Sequence, residues 1–228
     1  MGRIFVTGDL HGEIDFSKLF RRNWPEQYNL TENDYLIICG DFGLVWSAEE
    51  DKTEKYYLDI LESKPYNILF VDGNHENHDR LQQMPVEHWH GGLVHKIRPN
   101  VYHLLRGQVF DIAGRKIFTM GGASSHDKET RVQGISWWPQ ELPSYREENE
   151  GFRNLDKHNW EVDFVFTHCC SSRIQCQINE AYKVDCLNQY FNELEDKLKF
   201  KRWYFGHYHR DFAIDEKHIC VYRTILEV

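Results

Sequence analysis

The sequence predicts an α/β fold, in which short buried strands alternate with amphipathic helices. Several apolar runs are too short for helices and suit strands that are covered on both faces. No internal repeat, low-complexity stretch or Pro/Ser-rich linker divides the chain. With 228 residues, 41% of them hydrophobic and 28% charged, a single globular domain over residues 1–228 is expected, with an irregular, loop-rich insertion around 124–160.

The elements follow from local patterns. In chain order, the predicted strands are Ile4–Thr7, Tyr35–Cys39, Ile68–Val71, Lys116–Met120, Phe164–Thr167 and Trp203–Phe205. Ser47-Ala48-Glu49-Glu50 has the form of a capping box and predicts a helix that reaches Ser63. Apolar residues at helical spacing predict a second helix over Val184–Lys199. Phe212–Ile214 and Ile219–Leu226 predict a terminal hairpin.

Polar side chains of a few types follow five of these strands. Each strand end delivers Asp, Asn or His beside a small residue or at a tight turn, in Gly8-Asp9-Leu10-His11-Gly12, Gly40-Asp41, Asp72-Gly73-Asn74-His75-Glu76, His168 and Gly206-His207-Tyr208-His209. In open α/β sheets the ligand site lies beyond the carboxyl ends of the strands, so these side chains are expected to converge. Alternate residues of an extended segment share a face, which lets Asp9 and His11 reach the same metal or adjacent metals.

The types of side chain indicate what they bind. Carboxylate oxygen, amide oxygen and imidazole nitrogen are ligands for manganese, iron, zinc or cobalt, and the absence of thiolates argues against a structural zinc site. Seven candidate ligands are too many for one tetrahedral ion and suit two ions that share a bridging carboxylate. Two metals about 3.5–4 Å apart can activate a bridging water and stabilise an in-line displacement at phosphorus.

Together the five blocks resemble those of the calcineurin-like metallophosphoesterase superfamily: D-x-H, G-D, G-N-H-[DE], a strand-ending H and G-H-x-H. They extend from Asp9 to His209, so the resemblance covers nearly the whole chain. It implies a four-layer α/β/β/α sandwich of two mixed β-sheets flanked by helices. It also implies two divalent metal ions, for which we expect manganese, with iron, zinc, cobalt and nickel as alternatives.

The resemblance also assigns roles to residues. It implies that the first metal is bound by Asp9, His11 and His209, that the second is bound by Asn74, His168 and His207, and that Asp41 bridges the two. His75 would be the catalytic residue that stabilises the transition state or protonates the leaving oxygen. The expected reaction is hydrolysis of a phosphomonoester or phosphodiester by in-line attack of a metal-bridging hydroxide.

One block departs from the Ser/Thr protein phosphatase branch, which has G-D-x-x-D-R-G. Here Leu44 and Val45 stand where the second Asp and the Arg would be. Those two residues help to orient the catalytic histidine and bind the phosphate, so a protein phosphatase is disfavoured. The sequence fits the group of small phosphoesterases better, and we expect a small phosphorylated molecule or a nucleotide as substrate.

Two residues outside the blocks are weaker candidates for substrate binding. Arg131 could bind phosphate oxygens bidentately, although a solvated loop arginine is an equal alternative. His126 follows a predicted strand end with two glycines, and it differs in this from the other seven histidines that match no block.

Charge and targeting signals bear on partners. With 27 basic and 36 acidic residues, the formal net charge of −9 argues against broad nucleic-acid binding. A nuclease stays an alternative, because the net charge of the whole chain does not exclude a local basic patch. A non-catalytic metal-binding scaffold is the alternative from another class of protein. The sequence shows no signal peptide and no apolar stretch near the roughly 18 residues needed to cross a bilayer. We therefore expect a cytoplasmic protein with no membrane partner.

Overall fold

Two mixed β-sheets packed face to face form the centre of the protein, which a computed structural model describes over residues 2–228. The first sheet contains seven strands in the order β13-β1-β2-β3-β6-β5-β4. In chain order these are β1 (Ile4–Thr7), β2 (Tyr35–Cys39), β3 (Asn67–Val71), β4 (Val86–Trp89), β5 (Gly92–Arg98), β6 (Val101–Leu104) and β13 (Leu226–Glu227).

The second sheet contains six strands in the order β11-β12-β10-β9-β8-β7. They are β7 (Gln108–Ile112), β8 (Arg115–Met120), β9 (Phe164–Thr167), β10 (Arg202–Phe205), β11 (Phe212–Ala213) and β12 (His218–Cys220). The five α-helices are α1 (Lys52–Glu62), α2 (His78–Gln82), α3 (Tyr145–Lys157), α4 (Ser172–Ile178) and α5 (Cys186–Lys197).

Three hydrophobic clusters show how the layers pack. The cluster between the sheets joins residues of both, among them Val6, Ile37, Leu69, Phe110, Ile117 and Phe166. On the outer face of the first sheet, Leu58 and Leu61 of α1 pack into a second cluster. On the outer face of the second sheet, Leu187 and Phe191 of α5 pack into a third. This arrangement is a four-layer α/β/β/α sandwich, as the resemblance described above implies.

The six predicted strands are all present, three of them one residue longer at their amino ends. Strands β4 to β7 were not predicted, because they lack a continuous apolar run: β4 is largely exposed, and β5 contains His95, Lys96 and Arg98. The predicted strand Ile219–Leu226 was wrong as one element. Its first part pairs with β11 in the second sheet, and Leu226 pairs with Val6 in the first.

The helix boundaries also differ from prediction. Asp51, rather than Ser47, caps α1, because its carboxylate accepts hydrogen bonds from the backbone N–H groups of Thr53 and Glu54. Ser47 lies outside the helix and donates its hydroxyl to Asp51 (2.7 Å). Within 124–160, the second half is the regular helix α3, which begins with a complete capping box of Ser144 and Glu147.

The sheet topology positions the site. Strands β1, β2 and β3 are parallel neighbours in the first sheet, and β9 and β10 are parallel neighbours in the second. The five polar blocks directly follow these five strands. Parallel strands end at the same edge of a sheet, and the packing of the two sheets brings both edges together.

Candidate metal centre

All seven predicted ligands meet at the carboxyl ends of these five strands. Four of them, Asp9, His11, Asp41 and His209, offer ligand atoms that all lie within 4.8 Å of one another. Within this group, His209 Nε2 lies 3.1 Å from Asp9 Oδ2, and His11 Nε2 lies 3.2 Å from Asp41 Oδ2. These are the three residues predicted for the first metal, together with the predicted bridging carboxylate.

The remaining predicted ligands lie on the other side of Asp41. His168 Nε2 is 3.1 Å from the Asn74 side-chain oxygen and 3.3 Å from Asp41 Oδ1. The imidazole of His207 lies 4.9 Å from that of His168, between ring centroids. The two Asp41 oxygens therefore face different groups, Oδ2 towards His11 and Oδ1 towards His168, as a bridging ligand requires.

Hydrogen bonds to the second ring nitrogen orient two of the histidines. His11 Nδ1 lies 3.0 Å from Asp15 Oδ2, and His168 Nδ1 lies 2.9 Å from the backbone oxygen of Cys39. Each contact turns the Nε2 atom towards Asp41. A carboxylate or carbonyl behind a metal-binding histidine is the usual means of fixing its ring. Asp15 was not predicted, because an Asp four residues after a histidine is common on any surface.

The backbone is strained at this site. Four predicted ligands have a positive φ although they are not glycine: His11 (47°), Asp41 (44°), His207 (69°) and His209 (49°). For a residue with a side chain this left-handed region is unfavourable, and it persists where the surrounding structure enforces it, often at functional sites. Local propensity alone would not select this geometry for four ligands.

Glycines let the backbone approach the ligands closely. An added Cβ would lie 2.0 Å from Asp41 Oδ1 at Gly73, 2.2 Å from Asp9 Oδ1 at Gly206, and 2.1 Å from His168 Nδ1 at Gly40. Such distances are too short for any side chain. The glycines in these three blocks therefore leave room for the ligand atoms rather than merely forming turns.

The charges at the site favour ionised carboxylates. Although burial opposes ionisation, His168 and His11 lower the pKa of Asp41 well below its ordinary range. Burial likewise opposes a charged His168, yet Asp41 and Asp9 raise its pKa to about 10. Burial and the neighbouring His168 lower the pKa of His207 to about 3, so that ring is neutral and has a free electron pair at neutral pH.

His75 lies beside the predicted ligands without sharing their contacts. Its backbone N–H donates to Asp41 Oδ1 (2.8 Å), and its ring packs edge-on against His11 at 5.4 Å. Burial lowers its pKa, and the positive charge of Arg131 acts in the same direction. A neutral imidazole can still donate its one N–H to a phosphoryl oxygen.

Of the two weaker candidates, the structure brings only Arg131 to the site. Its Nη1 and Nη2 atoms each lie 3.4 Å from a ring nitrogen of His75, and Asp127 holds its Nε at 2.8 Å. His126 is exposed, and in residues 2–228 no side-chain hydrogen bond or ion pair joins it to the cluster. The loop that carries both residues thus presents the arginine and not the histidine.

Several buried groups that support the site were missed. Lys18 donates from Nζ to the backbone oxygens of Gly8, Asp9 and Tyr222, each at 2.7 Å. Asp72, the first residue of the third block and not assigned a role there, forms a buried ion pair with Arg106. These pairings connect residues distant in sequence, and no local pattern signals them.

Two further carboxylates hold loops around the site. Glu76 accepts from the backbone N–H groups of Phe42 (2.6 Å) and Gly43 (3.2 Å), which secures the loop after Asp41. Glu141 accepts from the Ser125 hydroxyl, and that hydroxyl in turn accepts from the Asn74 amide (3.1 Å). The amide oxygen of Asn74 is thereby directed towards His168.

Comparison with known proteins agrees with this geometry. The family model described as calcineurin-like phosphoesterase matches residues 2–211, which is most of the chain. The chain belongs to the calcineurin-like phosphoesterase family. This family implies a dinuclear divalent metal centre, and the clustered donors fit one: they are carboxylate, amide and imidazole groups divided between the two sides of Asp41.

Relatives of this family member include proteins named lariat debranching enzyme. The one from Danio rerio is 28% identical over 73% of this chain and 30% of its own length. The one from Schizosaccharomyces pombe is 25% identical over 92% of this chain and 49% of its own length. The chain thus spans half or less of the length of these relatives.

A solved structure shares the fold. The structure of a "Putative 5'-Nucleotidase" from Staphylococcus aureus superimposes with a TM-score of 0.51, covering 99% of this chain and 50% of that one at 14% identity. At this identity the similarity shows a shared fold. Within residues 2–228, no helix combines the length and apolar character needed to cross a membrane.

Proposed function

We propose that this chain is a dinuclear metal-dependent phosphoesterase that hydrolyses a phosphomonoester or phosphodiester bond. The observation that carries the proposal is the position of Asp41, whose two carboxylate oxygens face His11 on one side and His168 on the other. We further propose that residues 1–228 form one metallophosphoesterase domain.

Two sets of residues would hold the metals. Asp9, His11 and His209 would hold the first ion, Asn74, His168 and His207 the second, and Asp41 both. When bound, the metal pair supplies an activated water and positive charge that stabilises the phosphoryl transition state. Manganese is our first choice, because carboxylate, amide and imidazole ligands without thiolate suit it.

The protein residues then orient the substrate and move a proton. The neutral imidazole of His75 would donate its N–H to the phosphate or to the leaving oxygen. Arg131 lies close enough to His75 to bind a phosphoryl oxygen on the same side. Asp15 and the Cys39 carbonyl keep the rings of His11 and His168 directed at the centre.

We expect a small phosphorylated molecule or a nucleotide as substrate. A nucleic-acid phosphodiester is the second candidate, because several relatives are named lariat debranching enzymes. A cytoplasmic location is proposed on the six free cysteines, four of them buried, which fit a reducing compartment.

Two substitutions test the function. Asp41→Ala and His207→Ala should abolish Mn²⁺-dependent hydrolysis of bis-p-nitrophenyl phosphate and of p-nitrophenyl phosphate, while circular dichroism still shows a folded protein. His126→Ala is the matched control and should keep its activity, because its ring is exposed and outside the cluster. Full activity in both ligand variants would refute the proposal. For the second candidate, a steep fall of oligonucleotide binding with salt is expected, and no such fall would exclude it.

A further inference from the structure

A cleft of about 430 Å³ opens directly beside the proposed metal centre. Its lining includes His11 and His75 of the proposed site, together with Trp46, Ser47 and Asp51. A volume of this size is within the range of small-molecule sites and can hold one ring with its attached sugar. Because the predicted catalytic residue His75 lines the cleft, the cleft would receive the part of the substrate that is attached to the phosphate.

An aromatic wall is built into this cleft. The indole of Trp46 is partly exposed and lies 6.0 Å from the ring of His75, tilted by 32°. Its other contacts are internal: Trp138 packs edge-on against it at 5.5 Å, and the Trp138 N–H donates to Asp79 (3.0 Å). Glu54 and Asn77 bind the Trp46 backbone, so the ring is held in place.

The charge of the cleft restricts what can enter it. Among the described residues that line it, none is a lysine or an arginine, whereas Glu13, Asp51 and Glu54 are acidic. Glu54 is neutralised by Arg80, whose Nη1 atom lies 2.6 Å from Glu54 Oε2. Glu13 is exposed and has no such partner among the ion pairs of residues 2–228. Among the described residues that line the cleft, a second phosphate would meet the carboxylates of Glu13 and Asp51 and no lysine or arginine.

We propose that this cleft binds an uncharged planar ring on the alcohol part of the ester, stacked on Trp46, and that it disfavours a second phosphate. The inference rests on the proposed function and names the substrate class of that site: nucleoside or other ring-bearing monoesters and terminal esters rather than polyanionic chains. Stacking of a base on an aromatic side chain contributes enough to change kcat/KM roughly 5- to 100-fold.

Two pairs of substrates isolate the contribution of the ring to kcat/KM. Uridine 5′-monophosphate and ribose 5-phosphate are both esters of the primary 5-hydroxyl of a ribose, and only the first carries a base. Benzyl and methyl phosphate make the same comparison with a simple ring. The wild-type enzyme should prefer the ring-bearing member of each pair, and Trp46→Leu should reduce that preference at least 5-fold. Trp46→Phe should restore part of it. If the enzyme prefers only uridine 5′-monophosphate within its pair, the cleft binds a nucleoside. If it prefers the ring-bearing member of both pairs, the cleft binds any aryl group.

Tyr56→Leu is the matched control, because Tyr56 is 60% exposed on α1 and does not line the cleft. Glu13→Lys tests the charge and should raise kcat/KM for uridine 3′,5′-bisphosphate relative to the 5′-monophosphate. Equal rates within both wild-type pairs, or an equal loss on both members in Trp46→Leu, would overturn the inference.

Failure of the proposed function can be told apart from failure of this inference. If the protein hydrolyses no phosphate ester, the proposed function is refuted, and titration calorimetry with uridine then tests the cleft directly. Binding that weakens in Trp46→Leu but not in Tyr56→Leu would support a ring-binding cleft. No uridine binding would overturn it.

Discussion

Replacing Gly206 by alanine should disable the proposed metal centre through one methyl group. The new Cβ would lie 2.2 Å from Asp9 Oδ1 and 2.5 Å from the backbone oxygen of Cys39. Ordinary van der Waals contact begins near 3.4 Å, so the Asp9 carboxylate would have to retreat by about 1.2 Å. Metal–ligand distances tolerate only about 0.2 Å, so Asp9 would no longer reach the same ion.

The size of the effect follows from this displacement. Disturbing an outer-shell partner typically weakens metal binding 10- to 100-fold, so moving a proposed ligand should weaken it by about 100-fold or more. The contact with Cys39 is with backbone and should also destabilise the fold by about 1–3 kcal/mol, as overpacking does. Because Gly206 itself has no positive φ, backbone strain adds nothing to this effect.

The assay is Mn²⁺ titration by competition with a chromophoric chelator, together with urea unfolding of the metal-free protein. Gly91→Ala is the control: Gly91 has a φ of 91° and no atom closer than 3.7 Å to an added Cβ, so only backbone strain is expected there. It should lose stability without losing metal affinity. Unchanged metal affinity in Gly206→Ala would refute the reasoning that these glycines make room for ligands.

Three further outcomes are expected. His75→Gln should lower kcat about 10²- to 10⁴-fold with the bound metal unchanged, measured by steady-state kinetics and elemental analysis, because it removes the proton donor and no proposed ligand. Asp72→Asn removes the buried carboxylate nearest to Arg106 and leaves that guanidinium only the 3.5 Å contact with Glu147 as an ion pair, which should lower stability by about 3–5 kcal/mol in urea unfolding. Burial raises the pKa of Glu141 to about 7 from an ordinary value near 4.5, so its contribution to stability is full below about pH 4.5 and is lost as the pH rises through 7. Glu141→Gln should therefore flatten the pH dependence of the unfolding free energy between pH 4.5 and 7.

Each of these three predictions has its own control or its own result that would contradict it. Loss of metal in His75→Gln would show that His75 acts through the ligands. For the buried pair, Asp59→Asn is the matched change at the exposed Lys55–Asp59 pair, and it should alter stability by less than about 0.5 kcal/mol. An equal effect at both pairs would contradict the role of burial. A Glu141→Gln variant with the same pH profile as wild type would exclude Glu141 as the titrating group.

The local sequence determined much of the fold and the identity of the predicted site residues. Buried strands such as Tyr35–Cys39 are continuous apolar runs, and polar residues directly follow their carboxyl ends. Since ligand sites in α/β sheets lie beyond those strand ends, position made Asp41 and His168 candidates, and the resemblance of all five blocks together assigned them as ligands. Strand Val86–Trp89 could not be predicted from the sequence, because an exposed edge strand needs no apolar run.

Only the tertiary structure decided which distant residues meet. Arg131 and His126 stand in one loop with similar sequence signals, and packing of that loop brings the guanidinium to His75 and leaves the imidazole exposed. Tertiary packing likewise brings Asp72 to Arg106 and forms the cleft beside Trp46. Strand and ligand signals are local because they arise from a residue and its neighbours, whereas these contacts arise where loops and elements distant in the chain pack against each other.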